Sequence, residues 1–173
     1  MHITIKIGDK EVGAFCSAAT PFIFRQIFKR DFLNEKTAIF SKMSNLTRNA
    51  EKLMKIRSRL VELSEIENRT QEETAEMVKL STSVSENLNA DDYGVIDARN
   101  ELGAMLLFVM IKQDALPGLD SIMRLNNNDY IEFLNSYSYS DIITAGQEAL
   151  KAWDDDSHAQ IERKNLQGRT PEN

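Results

Sequence analysis

The sequence predicts an α+β fold that is predominantly α: an N-terminal β-hairpin packed on a bundle of helices, with a central helical hairpin insertion. Three observations carry this. Ile3, Ile5 and Ile7 alternate with Thr4 and Lys6 ahead of Gly8-Asp9, the period of a half-buried strand running into a turn. Apolar residues from Met43 to Ile66 recur at spacings of three and four, which is the period of one helical face. The stretch from Leu102 to Ile111 is apolar nearly all round, as a helix covered on every side must be.

Beyond the turn, "EVGAFC" supplies the hairpin's second arm, and Cys16 reads there as a small buried hydrophobe. Two strands alone are marginal in water, so the isoleucine face must lie on helices or be covered by oligomerisation. Thr20-Pro21 then reads as a helix start, with the threonine oxygen capping free N–H groups and proline at the first helical position, where its missing donor costs nothing. In "TPFIFRQIFKRD", a step of about 100° per residue puts Ile23, Phe24, Ile27 and Phe28 on one side and Arg25, Gln26, Lys29 and Arg30 on the other. The phenylalanines belong to the buried face and are not free to stack on bases. Asp31 falls on the apolar side, so either the helix ends there or its carboxylate has a cationic partner, Arg25 or Arg30, or a capping role.

The periodicity predicts a long helix from Ser41 to Asn68 through Met43, Leu46, Ala50, Leu53, Ile56, Leu60, Leu63 and Ile66. Thr70 and Glu73 match a capping box that opens a second helix through Met77, Val78, Val84 and Leu88. Together they form a helical hairpin whose mixed charges read as a solvated face. Its stripe, with Met43, Leu46, Leu53, Ile56, Leu60 and Leu63 as candidate partner-binding residues, serves either as internal core or as a seam for a partner helix.

"NADDYGVIDARNELGAMLLFVMIKQDA" predicts the central buried helix, ended by Pro117-Gly118. "NNNDYIEFLNS" predicts a short helix capped by Asn128 or Asp129, and "YSYS" a polar joint. Helical spacing resumes from Asp141 to near Ile161 through Ile142, Ala145, Ala149, Ala152 and Trp153. Trp153 reads as core, with a partner contact as the alternative. The expected organisation is therefore an N-terminal hairpin and first helix over 1–38, a helical hairpin over 39–90 as an insertion or partner-binding arm, a C-terminal helical part of the same core over 91–163, and a disordered tail over 164–173.

The chemistry points away from catalysis. A net charge of -6 opposes an electrostatic grip on phosphate backbones. One cysteine excludes an intrachain disulfide, which makes a reduced, cytoplasmic setting the default. "MHITIKIGDK" reaches Gly8 and Asp9 before a signal-peptide core could form, and the longest apolar run, Ala104 to Ile111, is too short to span a bilayer, so neither export nor a membrane is expected. His2 and His158 lie at opposite ends, the glycines form no phosphate cradle, and the neighbouring carboxylates of "WDDDS" diverge on a helix. No metal, no cofactor and no catalytic residue are expected, and the protein is expected not to be an enzyme.

"ATPFIFRQIFKRDF", from Ala19 to Phe32, resembles a short motif of tail assembly chaperones from long-tailed, siphovirus-type bacteriophages. In that motif an extended segment leads into a Thr/Ser-Pro helix start, an aromatic-Arg pair, and then Phe, a small or variable residue, Arg and Asp. Thr20, Pro21, Phe24, Arg25, Phe28, Arg30 and Asp31 hold those places here, while Lys29 stands where glycine is common and Phe24 where tyrosine is frequent. The stretch from Leu106 to Trp153 is similar to the family's closing pattern of an apolar helix with Met-x-Lys, a turn, a short hydrophobic-Glu-Phe-Leu helix and a last helix ending near Trp. Residues 39–89 have no counterpart in the pattern.

The resemblance implies a non-enzymatic protein of viral tail assembly that binds the tape measure protein and keeps it soluble in the host cytoplasm, and that is absent from the mature virion. It also implies the short form of a pair made by programmed frameshifting, with the longer form and further copies of itself as partners. Lys164-Asn165 can be encoded by a slippery heptamer. A structural tail-completion protein of the virion is the alternative. A helical nucleic-acid-binding regulator is a further one, using Arg25, Lys29, Arg30, Arg48, Lys52, Lys55, Arg57 and Arg59.

Overall fold

In a computed structural model of the chain, residues 1–86, 91–116 and 118–167 are described. The element order is β1 (His2–Ile7), β2 (Lys10–Phe15), α1 (Thr20–Phe28), α2 (Phe32–Ser64), α3 (Gln71–Glu86), α4 (Asp91–Ala115), α5 (Leu119–Ile122), α6 (Asn127–Asn135) and α7 (Tyr139–Gln167). The fold is α+β and mostly helical, with a two-stranded antiparallel hairpin on helices, as the residue periods predict. Two compact units make up the chain: residues 1–36 with 98–173, and residues 37–97. α2 and α4 each contribute residues to both.

In the first unit, β1 and β2 pair from His2 with Phe15 to Ile7 with Lys10, turning at Gly8, whose φ of 60° suits a residue without a side chain. Alternation then sorts the side chains: Ile5, Ile7 and Ala14 are buried while Thr4, Lys6 and Glu11 face water. β1 packs on α7. Cys16 is buried one residue past β2, and its N–H still bonds to the Met1 carbonyl at 2.9 Å.

α4 is the centre of this unit, and every residue from Leu102 to Ile111 is buried. Its neighbours explain the uniformity. His2 Nδ1 and Asp114 Oδ1 form a hydrogen bond of 2.8 Å from the hairpin, Thr20 of α1 donates to Gln113 Oε1 at 2.7 Å, and Tyr130 and Phe133 of α6 meet Phe108 with ring centres 5.5 Å away. On the α7 side, a methyl added to Gly103 would lie 2.8 Å from the Gly146 carbonyl oxygen, so the two helices touch backbone to backbone. With partners on all these sides, α4 has no face left for polar residues in that stretch.

Local chemistry sets the helix ends, in several places differently from the sequence expectation. Thr20 caps nothing in α1. Ala19 is at the N-cap with no side-chain bond, and the buried Thr20 hydroxyl instead accepts from the Ser17 N–H at 3.0 Å while donating to Gln113. α2 begins at Phe32, nine residues before the expected Ser41, and ends at Ser64 rather than Asn68. Its early start follows from the turn before it, where the Asp31 side chain caps the Asn34 N–H. At the other end Arg69 donates to the carbonyls of Leu63 (2.6 Å) and Ser64 (2.7 Å), supplying partners that the helix terminus lacks.

The expected capping box is present at α3. The Thr70 N–H donates to Glu73 Oε2 at 2.7 Å and the Glu73 N–H to Thr70 Oγ1 at 3.2 Å. α6 is capped by Asn126 rather than by Asn128 or Asp129. Asn126 Oδ1 accepts from the Asn128 N–H at 2.8 Å, and Asp129 reciprocates by accepting from the Asn126 N–H at 2.8 Å. α7 opens on a Ser138–Asp141 pair and continues to Gln167, past Ile161 and into the segment expected to be disordered. Residues 168–173 of that expected tail, and Pro117, lie outside the described residues.

Candidate functional site: the α1–α2 corner and the α2–α3 hairpin

Two places collect the residues singled out in the sequence. The first is the corner where α1 turns into α2. α1 stops because Lys29 adopts a left-handed conformation, φ 58° and ψ 24°, while its N–H bonds to the Arg25 carbonyl at 2.9 Å. Such a conformation costs an ordinary residue about 1–2 kcal/mol and glycine almost nothing. Asp31 follows, and its Oδ1 accepts from the Asn34 N–H at 3.0 Å. This is the capping alternative for Asp31. The carboxylate is half-buried, so its value is that of an N-cap, about 1 kcal/mol, rather than that of a buried ion pair.

The cationic partner expected for Asp31 has other company. Arg30 donates through Nε and Nη2 to the two Glu35 oxygens at 2.8 and 2.6 Å and through Nη1 to Glu101 at 2.5 Å. The Glu35 bonds hold the guanidinium protonated more strongly than usual, partial burial opposes this, and Glu101 adds to it. Arg30 thereby ties the start of α2 to α4. Lys36 and Asp154 make a second such tie, from α2 to α7. Arg25 is exposed.

Beneath the corner the aromatic residues form one chain of edge and tilted contacts. Phe24 meets Phe28 at 4.9 Å and Phe32 at 5.4 Å, Phe32 meets Trp153 at 5.2 Å, and Phe28 meets Tyr130 at 5.1 Å between ring centres. Phe24 and Phe32 are fully buried, each contributing about 1.5–3 kcal/mol. Trp153 is only 9% exposed. Of its two readings the structure realises core, which removes it from the surface that a partner could reach in this form. Tyr130 is buried as well, and loss of solvent pushes its phenol up to about 12.

The second place is the α2–α3 hairpin of residues 37–97. The candidate stripe is only partly covered: Met43, Leu46, Leu53, Ile56 and Leu60 are half-buried and Leu63 is fully buried. Arg59 fixes the pairing of the two helices, donating to Glu76 from Nε at 3.0 Å and Nη2 at 3.1 Å, and to Glu62 from Nη1 at 3.0 Å. These bonds hold Arg59 charged and hold the Glu76 carboxyl below the usual carboxylate range. Glu73 is lowered too, first by the Thr70 N–H and then by the Thr70 hydroxyl.

The most exposed apolar side chains of the hairpin are Met54 at 71%, Val78 at 63% and Val61 at 57%. Met54 and Val61 lie outside the expected stripe. Their heptad spacing was visible in the sequence, but the larger leucine stripe masked it. Arg48, Lys52 and Lys55 are exposed on another side of α2.

Among the described residues no three His, Cys, Asp or Glu side chains gather as a metal site would require, and no helix is long and apolar enough to cross a membrane. Comparison with known proteins returned no matching family model, no matching curated protein and no matching solved structure.

Proposed function

We propose that the protein is a tail assembly chaperone of a long-tailed bacteriophage, the short form of a frameshifted pair. It holds the tape measure protein soluble in the host cytoplasm while the tail tube assembles, works with its longer form and with further copies of itself, and leaves before the virion is complete. The observation that carries this reading is the conformation of Lys29. The motif of the resembling family commonly has glycine at this position, and this residue has a backbone that glycine adopts without strain.

The rest of the motif makes sense as the same corner. Phe24 fills the core below it with the half-buried Phe28 against it, Arg30 ties it to α4, and Asp31 starts α2. A motif of this kind specifies a scaffold rather than a reaction centre, which suits a non-enzymatic role. The client would meet the α2–α3 hairpin, where half-buried leucines and exposed Met54, Val61 and Val78 offer apolar surface.

The test is co-expression with the tape measure protein of the same virus. Short and long forms together should keep it in the soluble fraction, whereas the tape measure protein alone should precipitate. Equal solubility without either form, or abundance of this chain in purified virions, would overturn the reading, the latter in favour of a tail-completion protein.

A further inference from the structure

We propose that the basic side of α2 is a docking surface for an acidic helical segment of a partner protein. Arg48, Lys52, Lys55 and Arg59 follow at steps of four, three and four residues, so they form one row along about 16 Å of helix axis. From Lys42 to Arg59 the chain places 6 of its 21 basic residues and 1 of its 27 acidic ones. A local charge of +5 therefore stands against -11 in the remainder.

One rung of the row is already filled, and it shows how the others would be. Arg59 grips the Glu76 carboxylate, offered by the neighbouring helix α3, through two parallel N–H donors. One turn further along α3 stands Lys79, which cannot do the same for Lys55. Among the described residues no carboxylate lies within ion-pair distance of Arg48, Lys52 or Lys55, and all three are exposed.

Like charges at these spacings destabilise a helix by a few tenths of a kcal/mol per pair. Glu51, the one carboxylate of the stretch, stands three residues after Arg48 and four before Lys55 but is ion-paired to neither, and asparagines occupy positions 45 and 49, where glutamates would also have relieved the repulsion. An incoming helix with carboxylates at matching steps removes that cost and makes three charge-assisted contacts, two-pronged at Arg48 as at Arg59 and single at Lys52 and Lys55. A long nucleic acid would satisfy the same row, but the acidic remainder of the chain repels an extended polyanion. A short acidic helix needs only the field within a screening length of about 8 Å.

Binding is measured on the full chain by fluorescence anisotropy. The probe is a labelled synthetic helix of about 20 residues whose glutamates recur every three and four positions on one side. A peptide of the same composition in scrambled order and a duplex DNA serve as competitors. The spaced peptide should bind with an affinity that falls as salt rises, and R48E/K52E/K55E should weaken it about tenfold, the loss expected for three exposed ion pairs. R48Q/K52Q/K55Q, which adds no repulsion, should show a smaller loss with an unchanged circular dichroism spectrum. K6E/R124E/K151E, the same charge change at exposed positions elsewhere, should bind as the unmodified chain does. Absence of binding, equal binding of the scrambled peptide, an equal loss in the control triple, or tighter binding of duplex DNA would each overturn the proposal.

Discussion

Replacing Gly146 by alanine tests the contact on which the centre of the first unit depends. The new methyl would lie 2.8 Å from the Ala104 nitrogen and 2.8 Å from the Gly103 carbonyl carbon. Unbonded carbons normally approach to about 3.5–4.0 Å, so α4 and α7 would have to separate by about 1 Å. The obstructing atoms are backbone and cannot rotate away. Separation would loosen Leu102, Leu106, Ala145, Ala149 and Leu150, all at most 1% exposed. Overpacking of this kind costs about 1–3 kcal/mol, and the upper end applies where nothing flexible can yield. Alanine recovers about 1 kcal/mol through its better helix propensity, leaving a net loss of about 2 kcal/mol.

With a denaturant slope of about 2 kcal/mol per molar, the urea midpoint followed by far-ultraviolet circular dichroism should fall by about 1 M. Gly94→Ala is the internal control. Gly94 is also in α4, but an added methyl there meets nothing within 4 Å, so only the propensity gain of up to about 1 kcal/mol remains. The two variants must therefore shift in opposite directions. A Gly146→Ala protein as stable as the unmodified chain would falsify the close α4–α7 contact and the account of the buried helix built on it.

Two further expectations concern the motif corner and the aromatic chain. Lys29→Gly should raise stability by up to about 1 kcal/mol, because relief of the left-handed backbone outweighs the added freedom of glycine in the unfolded chain; a lower thermal midpoint would contradict the role given to that residue. Tyr130 should ionise near its raised pKa of about 12, as read from the phenolate absorbance against pH that is lost in Tyr130→Phe. Burial favours the neutral phenol in the folded state. Its stabilising effect is thus fully present below the unfolded value of about 10 and is lost as pH rises from there through the folded value. A Tyr130 transition at the unfolded value of about 10 would show that the phenol is not buried.

What the sequence determined by itself was whatever depends on neighbours along the chain. Alternation at Ile3, Ile5 and Ile7 requires a half-buried strand, the spacing of Leu53, Ile56, Leu60 and Leu63 requires a helical seam, and Thr70 with Glu73 closes a capping box in which the two partners lie three residues apart. The unbroken apolar run around Phe108 marks an element covered on all sides. Each is a short-range pattern, because the geometry of one strand or one helical turn repeats within a few residues.

Only the tertiary structure decided the features whose cause lies far off in sequence. Thr20 looks like a cap, but Gln113, 93 residues away, engages its hydroxyl. The start of α2 at Phe32 was hidden because the polar run Asn34, Glu35, Lys36 and Thr37 separates Phe32 and Leu33 from the next apolar positions, and only the left-handed Lys29 shows why Asp31 can open a helix there. Arg30 finds Glu101 across 71 residues, and Gly103 and Gly146 read as unremarkable helix residues until their backbones meet. Trp153 is the clearest case. Its place at the end of a helical stripe reads as core but leaves a partner surface open as the alternative, and Phe32, brought against it from the far end of the chain, buries it. Local periodicity says which side of an element is apolar; which surface covers that side depends on contacts between distant residues, and these exist only once the chain has folded.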